Sequence, residues 1–449
     1  MAQTTADGPP ATSGTKLKRT VGTLLLFFFI VGDTLGAGIY TLVGDLSENV
    51  GGALWVPLIL ALVLALLTAG TYAELITKYP HAGGAARYAE RAFKRPYVTF
   101  IVGFLMLASG ITTAASLANA FAGEYLSEIV RLPAVPVTLG FVAVLILINL
   151  RGVKESLSAN VVMTVIEVSG LMLVITVAAI AIGAGRGDPG RVLEFAAEVP
   201  PLEGAFAATI IAFFSFLGFE AAANMAEEVR SPTRSYPRAL FGAIITAGVV
   251  YLLIALGASM VVTPEELTSG ETRPLLNVVE GSGVGVPPLL FSIVALVAIA
   301  NGALLFMVMA SRATYGLAEA GLLPGSFGRV LSTRRTPWVA ILAVGLLTMG
   351  MSFVGDVSVL ASTTVLLLVL VFISANISVL VLKKDKVDHP HVTVPRVVSV
   401  IALVVSIALL TQQEPIVWAI GGGYVVLGTI VFLLARIRTR REGAVPTTA

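Results

Sequence analysis

Two hydrophobic stretches are interrupted near their middles, at Gly32-Asp33-Thr34-Leu35-Gly36-Ala37-Gly38 in the first apolar segment and Phe214-Ser215-Phe216-Leu217-Gly218-Phe219-Glu220 in the sixth. Inside a bilayer nothing in the hydrocarbon can satisfy the N–H and C=O groups that such a break releases. Each break must therefore lie against protein or a water-filled cavity. Two of them predict a pocket between broken helices near the membrane midplane.

The rest of the chain supports the membrane setting. Its 449 residues are 56% hydrophobic and only 12% charged, with a mean hydropathy of +0.92, far above a soluble domain. The first apolar run begins near Gly22 and is not followed by a small-residue cleavage site, so it reads as a retained span. The polar residues before about position 15 read as a disordered tail. No cysteine is present, which removes disulfides, thiol chemistry and Cys-based metal sites. A net charge of +2 gives no case for a nucleic-acid partner. No Walker-type phosphate loop appears, and no nucleophile, base and oxyanion constellation stands out. His81, His389 and His391 lack metal-ligand spacing. The expectation is a protein that is not an enzyme and carries no cofactor or metal.

Roughly 17 to 25 apolar residues cross the hydrocarbon as helix. Such runs lie at 22–45, 54–77, 97–127, 134–150, 157–183, 203–227, 237–262, 286–319, 337–354, 357–382, 394–411 and 416–436. With both termini in the cytoplasm, every Lys and Arg except Arg131, Arg186, Arg191 and Arg273 falls on that side. An odd span count would put the Arg436, Arg438, Arg440 and Arg441 cluster on the wrong face, so the positive-inside rule selects twelve. The segment 79–95 is too polar to span and carries Tyr88, Ala89 and Phe93 at helical spacing, which predicts an interfacial helix. The outward loops 184–202 and 263–285 hold Glu194, Glu198, Glu265, Glu266 and Glu271, which solvation alone explains.

Gly36-Ala37-Gly38-Ile39-Tyr40 resembles the Gly-small-Gly-Ile-aromatic motif of the first helix in the amino acid, polyamine and organocation (APC) transporter superfamily, and Phe216-Leu217-Gly218-Phe219-Glu220 resembles its sixth-helix motif. Tyr72-Ala73-Glu74-Leu75 through Tyr79-Pro80-His81-Ala82-Gly83-Gly84, then Gly152-Val153-Lys154-Glu155-Ser156, then Ala226-Glu227-Glu228-Val229-Arg230-Ser231-Pro232 through Pro237-Arg238-Ala239 are similar to further signatures in the same order. The resemblance covers nearly the whole chain. It implies an all-α polytopic fold with a LeuT-like core, in which helices 1 to 5 and 6 to 10 are inverted repeats, helices 1 and 6 are broken, and helices 11 and 12 are peripheral. The resulting division is a tail at 1–20, a first repeat at 21–183, an outer loop at 184–202, a second repeat at 203–382, helices 11 and 12 with their preceding loop at 383–436, and a tail at 437–449.

The break chemistry can be read from the residues themselves. A half-helix restarting at Gly36 to Gly38 presents unpaired N–H groups and the positive end of its dipole, a site for a carboxylate. Glycine permits the unwound dihedrals and lets a ligand reach the backbone. Carbonyls released around Thr34 and Leu35, and around Phe214 and Leu217, can accept from an ammonium. One end binds acid and the other amine, which suits an α-amino acid. Ala37, Ile39, Ser215 and Gly218 complete the expected lining, with Tyr40, Phe214, Phe216 and Phe219 as candidates for an aromatic wall or gate. The resemblance places Phe214 where an aromatic lid closes over substrate. Against this, glycines at these positions also serve close helix packing, and phenylalanines in so apolar a chain also serve ordinary packing.

Asp33, Glu167 and Glu220 lie inside spans, where a carboxylate costs roughly 3 kcal/mol even on the lenient insertion scale. Each requires a partner, water or a proton, and each is a candidate coupling site. Glu167 stands fifteen residues after Gly152, where many members of the resembled family carry a lysine thought to replace a sodium ion. Here it can exchange a proton, bind a cation or pair with Asn301. Helix 8 lacks a Ser-Thr pair around Ala300 and Asn301, which weakens the sodium reading. Glu220 is either a coupling group or a cap on the second half of helix 6. Asp33 either satisfies loose backbone donors in the unwound segment or helps to hold a cationic substrate group. Glu74, Lys78, Arg87, Glu227, Glu228, Arg230 and Arg234 form a cytoplasmic charge cluster that is either a gate or simply solvated.

The expected function is secondary active transport of amino acids by alternating access, with proton symport or amino acid exchange. Transport of a polyamine or other organic amine, or amino acid sensing without transport, are the alternatives. A channel would need a continuous polar path. The expected partners are an amino acid or amine, a proton and the lipid bilayer, with the chain a monomer or homodimer in the cell membrane.

Overall fold

The computed structural model describes residues 21–80, 84–151, 153–268, 273–332, 334 and 336–441. Helix dominates, and the described residues contain no strand beyond an isolated bridge between Val21 and Val229. The first apolar segment is two helices, α1 (Thr23–Thr34) and α2 (Ala37–Val50), bent by 41° at the break. Then follow α3 (Trp55–Lys78), the short amphipathic α4 (Gly84–Phe93), α5 (Pro96–Phe121), α6 (Glu124–Ser127), α7 (Ala134–Arg151) and α8 (Val153–Gly183). In the second half lie α9 (Pro201–Phe214), α10 (Pro232–Val261), α11 (Pro264–Thr268), α12 (Pro274–Gly281), α13 (Pro288–Glu319), α14 (Trp338–Met351), α15 (Val357–Leu382), α16 (Arg396–Leu410) and α17 (Pro415–Arg441). Proline opens α5, α9, α10 and α13. Its fixed φ suits the first turn, where its missing N–H costs no helical bond.

Among the described residues eight helices are long and apolar enough to cross a membrane: α3, α5 with its continuation α6, α7, α8, α10, α13, α15 and α17. The bent pair α1 and α2 makes a ninth, and α9, α14 and α16 are shorter apolar helices. The protein is a multi-pass membrane protein. α4 occupies the segment expected to be interfacial, with Tyr88 and Ala89 buried.

In lipid the apolar surfaces of helices gain little by meeting, so close approach through small residues decides which helices pack. α5 and α13 form the most extensive pair; a Cβ on Gly110 would stand 3.0 Å from both the Ala310 Cβ and the Phe306 carbonyl oxygen. The apolar window of the span containing α5 is 83% buried against 22% for α17, which places α5 at the centre and α17 at the rim. Around this centre α1, α3 and α10 pack together. The Thr23 and Ser235 hydroxyls meet at 2.8 Å, and Arg230 N–H donates to the Val21 carbonyl at 3.0 Å. The starts of α1 and α10 are thereby tied to each other. Thr113 of α5 donates to Thr364 of α15 at 3.1 Å.

The loops expected on the outer face do more than solvate acids. Gly52 N–H donates to the Glu194 carbonyl at 2.9 Å, and the Trp55 indole N–H to the Val192 carbonyl at 2.9 Å, so the loop 184–202 is fastened over the turn between α2 and α3. Gly51 adopts φ +62° there. In the next loop Leu267, Leu275, Leu276 and Val278 are buried, and the Leu267 carbonyl lies where a Cβ on Gly44 would come within 2.8 Å of it. α11 and α12 therefore pack as a cover over α2. Apolar residues between the glutamates carry that packing.

Candidate functional site

Both interruptions are real breaks, and they face each other. α1 ends at Thr34 and α2 restarts at Ala37, with Gly36 as its N-cap and no side chain capping it. α9 ends at Phe214. The chain then turns through residues 215–220 into a 3-10 helix, Ala221–Glu228. Gly218 has φ +117°, a conformation that disfavours any side chain. A Cβ on Gly38 would lie 2.8 Å from the Ser215 Cα, and one on Gly218 would lie 2.7 Å from the Asp33 Cγ. The glycines thus bring the two unwound segments into backbone contact, so close packing and exposure of backbone are one arrangement here.

A single phenol bridges the breaks. Tyr251, fully buried on α10, places its hydroxyl against the Thr34 carbonyl and 2.9 Å from the Ser215 carbonyl. One hydroxyl has one proton, so it serves the two acceptors in turn or shares the proton between them. The Thr34 carbonyl, expected to receive a substrate ammonium, is already engaged. Nothing in the sequence singles out Tyr251, which carries no motif and lies on an unbroken helix.

Between the breaks lies a cavity of about 20 Å³ lined by Asp33, Thr34, Gly36, Gly38, Thr113, Leu117, Phe214, Ser215, Leu217, Gly302 and Phe306. That is room for about one water, so the helices are closed on one another in this conformation. Seven of these residues are among those expected from sequence. The other four are Thr113 and Leu117 on α5 and Gly302 and Phe306 on α13. Their i,i+4 spacing was the only available signal, and it recurs throughout the chain.

Several expected residues point elsewhere. The Tyr40 hydroxyl donates to the Glu167 carbonyl at 2.8 Å and its ring lies 6.1 Å from Phe291. Phe216 packs edge-on to Tyr251 at 5.1 Å. Phe219 stacks on Phe372 at 5.7 Å and meets the edge of Tyr72 at 6.0 Å. Leu35 and Ile39 belong to the apolar core, and the side chain of Ala37 lies outside the described residues. Of the four aromatic candidates only Phe214 faces the cavity, joined by Phe306.

The three intramembrane carboxylates occupy one neighbourhood with different surroundings. Glu220 does not cap the 3-10 helix that follows it. It folds back and accepts from Gly218 N–H at 3.0 Å, because the positive φ of Gly218 turns the chain toward it. Its other oxygen is buried without a partner. Glu167 is fully buried and accepts weakly from Asn301 Nδ2 at 3.5 Å. Its free oxygen lies 3.9 Å from where a Gly36 Cβ would stand, just behind the first break. Asp33 lines the cavity itself.

The charge cluster expected on the cytoplasmic side takes a different form. The Glu74 carboxylate pairs with Lys383 and accepts from Val394 N–H at 2.8 Å, while Lys78 donates to the Leu382 carbonyl at 2.6 Å. Arg87 pairs with Glu90 at 2.7 Å on the exposed surface of α4. His81, Gly152 and the side chains of Lys154, Glu155, Glu227 and Glu228 lie outside the described residues.

The profile of a family described as amino acid permease matches residues 21–434, nearly the full chain. The chain belongs to this amino acid permease family. Among its relatives, the permease is 24% identical over 402 residues to the branched-chain amino acid permease BcaP of Bacillus subtilis, covering 85% of this chain and 84% of that protein. It is 29% identical over 346 residues to the chloroplastic cationic amino acid transporter 9 of Arabidopsis thaliana, covering 72% of this chain and 59% of that protein. The Bacillus subtilis methylthioribose transporter is 24% identical over 455 residues, covering 93% of each. These names span three kinds of solute, so the solute of the permease has to be argued from its own site.

Proposed function

We propose that the protein is a secondary active transporter that carries an amino acid across the cell membrane by alternating access. The observation that carries this reading is the closed cavity between two facing broken helices. At the N-terminus of α2, free N–H groups and the helix dipole suit a carboxylate. Asp33, whose carboxylate lies against Gly218 of the second break, and the unpartnered Ser215 hydroxyl suit an amine. A cavity shut at this size passes nothing until the helices around it move, unlike a pore with a continuous polar path. The bundle of α1, α3 and α10, with its break segments, rocks against the centre formed by α5 and α13.

In this reading α9, α14 and α16 complete twelve spans. Residues 21–183 and 203–382 are inverted repeats of a LeuT-like core, α16 and α17 are peripheral, and both termini are cytoplasmic. Glu167, buried behind the first break with one oxygen unpartnered, is the proton-coupling group. Exchange of one amino acid for another by the same closed state is the second mode.

Counterflow in proteoliposomes tests the proposal. Internal unlabelled amino acid should accelerate uptake of labelled amino acid. Binding without flux would instead indicate a sensor, and flux without acceleration by internal solute would indicate a channel.

A further inference from the structure

A second cavity, of about 600 Å³, lies away from the breaks, between α7, α8, α13 and the end of α5, and every residue lining it is apolar. Leu132, Pro136, Gly140 and Val144, spaced by four along the start of α7, are exposed and form its rim. Phe141 and Leu145 are buried on its inner side, where the Phe141 ring stacks on Phe121 with centroids 3.9 Å apart. A Cβ added to Gly140 would meet nothing within 4 Å. α7 packs chiefly on α14 and α5 and only lightly on α8. The cavity is therefore a groove left between α7 and α8, open on the apolar surface of a membrane protein.

Protein interiors leave few voids larger than a water molecule, so a groove of this size is shaped for something that is not protein of this chain. Water is a poor occupant, because each buried molecule needs two to four polar partners and the lining supplies none. The lining runs along α7 from its start to Ile148, roughly 20 Å at the helical rise and more than half of the roughly 30 Å hydrocarbon thickness. Spread over that length, the volume corresponds to a cross-section of about 30 Å², against roughly 80–110 Å² for a helix 10–12 Å across with its side chains. A transmembrane helix is too wide to lie in it, and one hydrocarbon chain is not. The open end of the groove carries a charge: Arg131, next to the lining residue Leu132, is exposed. Among the described residues no acid pairs with Arg131, and Glu128, three positions earlier, is taken by Arg273.

We infer that this groove is a binding site for one phospholipid, with an acyl chain lying between α7 and α8 and the headgroup phosphate on Arg131. The guanidinium matches a phosphate, and a headgroup without its own cation leaves that phosphate free for Arg131, so an anionic phospholipid is the preferred occupant. The groove shares two helices with the break site. Ala300 and Leu304 of α13 line the groove, while Gly302 and Phe306 line the cavity between the breaks. Asn301 between them makes the long 3.5 Å contact with Glu167 of α8, four residues after the groove residue Met163. A lipid wedged there sets the spacing of α8 and α13 where that contact is made, and on the proposed transport reading it thereby affects turnover.

The test measures, by native mass spectrometry, the phospholipid held by the purified full chain after incubation with phosphatidylglycerol or phosphatidylcholine. The parent should hold one phosphatidylglycerol and favour it at least threefold. Gly140→Phe fills the groove without striking the protein and should cut the bound lipid at least fivefold, with Val144→Trp on the rim as a second filling variant. Gly423→Phe is the control, since Gly423 on the rim helix α17 also has open space where its Cβ would stand but lies outside the groove; it should hold lipid as the parent does. Arg131→Gln should erase the preference for phosphatidylglycerol. Lipid held equally by the parent and both filling variants, a preference unchanged in Arg131→Gln, or a parent dimer that the filling variants dissociate overturns the inference, the last by giving the face to a second copy. Counterflow in liposomes of each lipid is the second readout: it should be at least threefold faster in phosphatidylglycerol for the parent and lose that difference in Gly140→Phe. Bound lipid with counterflow indifferent to it overturns the link to turnover, and no counterflow in either lipid overturns transport; both leave the lipid site standing.

Discussion

Gly38 lies against the backbone of Ser215 so closely that a single added carbon would stand 2.8 Å from the Ser215 Cα. The neighbour is main chain, which cannot swing aside as the end of a flexible side chain can. Substitution must therefore push the two breaks apart, and overpacking of this kind costs about 1–3 kcal/mol. Gly38→Ala should reduce counterflow at least tenfold, and Gly38→Val should abolish it, with both proteins still eluting as folded species in detergent. Undiminished counterflow in Gly38→Val would show that contact between the breaks is not needed for transport.

The breaks were legible because glycine and a carboxylate inside an apolar run admit few explanations. Which side chains face the cavity was not legible. Helical periodicity assigns faces only while the helix continues, and residues 215–220 have left it, so Phe214, Phe216 and Phe219 could not be sorted by spacing. Phe214 is still on the last turn of α9 and points inward; the other two follow the turn and pack on Tyr251 and Phe372. Tyr251 was invisible for another reason. Its role depends on a contact 217 positions away in the chain, and a tyrosine on an apolar helix carries no local mark of it. The cover over α2 was likewise hidden, because Leu267, Leu275 and Leu276 sit among charged residues and only packing reveals their burial.

Tyr251→Phe keeps the ring against Phe216 and removes the hydroxyl that serves the Thr34 and Ser215 carbonyls. A buried acceptor left without its donor costs about 1–3 kcal/mol, so the variant should melt at a lower temperature than the parent. A bound solute ammonium can supply the missing donor. Ligand should then raise the melting temperature of Tyr251→Phe by more than it raises that of the parent. A ligand-induced shift no larger than the parent's would remove the break carbonyls from the amine site.

Glu167 and Asn301 meet at 3.5 Å, a long contact that leaves one carboxylate oxygen and the Asn301 carbonyl oxygen unpartnered. Glu167→Gln keeps the shape and removes the exchangeable charge. If Glu167 carries the coupled proton, uptake by Glu167→Gln should no longer respond to an imposed pH gradient, while counterflow at equal pH continues. If it is only a structural acceptor, the gradient will still drive uptake. Measuring both fluxes in the same liposome preparation separates loss of coupling from loss of the protein.

The loop at residues 383–395 is bound to the end of α3 by groups that are seldom buried without purpose. Glu74 and Lys383 side chains are 1% and 9% exposed, Val392 N–H donates to the Thr77 hydroxyl at 3.0 Å, and Val394 N–H donates to Glu74 at 2.8 Å. At the start of this strap the Tyr79 hydroxyl donates to Asp385 at 2.5 Å, and Arg91 Nε does so at 3.1 Å. The Tyr79 hydroxyl, and after it Arg91, hold the Asp385 carboxyl below its ordinary value of 3.8. A depressed folded value means that this stabilisation is present above 3.8 and is lost as pH falls through the folded value, so the attachment should not loosen near neutral pH. Removing one partner of a buried ion pair leaves the other charge uncompensated at a cost of about 3–5 kcal/mol, and Lys383→Met should lower the melting temperature accordingly. On the transporter reading the strap joins α3, which moves, to α15, which packs on the central α5, so it must release during each cycle. The chain has no cysteine, which allows a direct check: Thr77→Cys with Val392→Cys, bridged by a short thiol-specific crosslinker. Bridging should stop counterflow, leave ligand-induced thermal stabilisation intact, and be undone by cleaving the crosslinker. Counterflow that continues at the unbridged rate would show that α3 and the strap travel together.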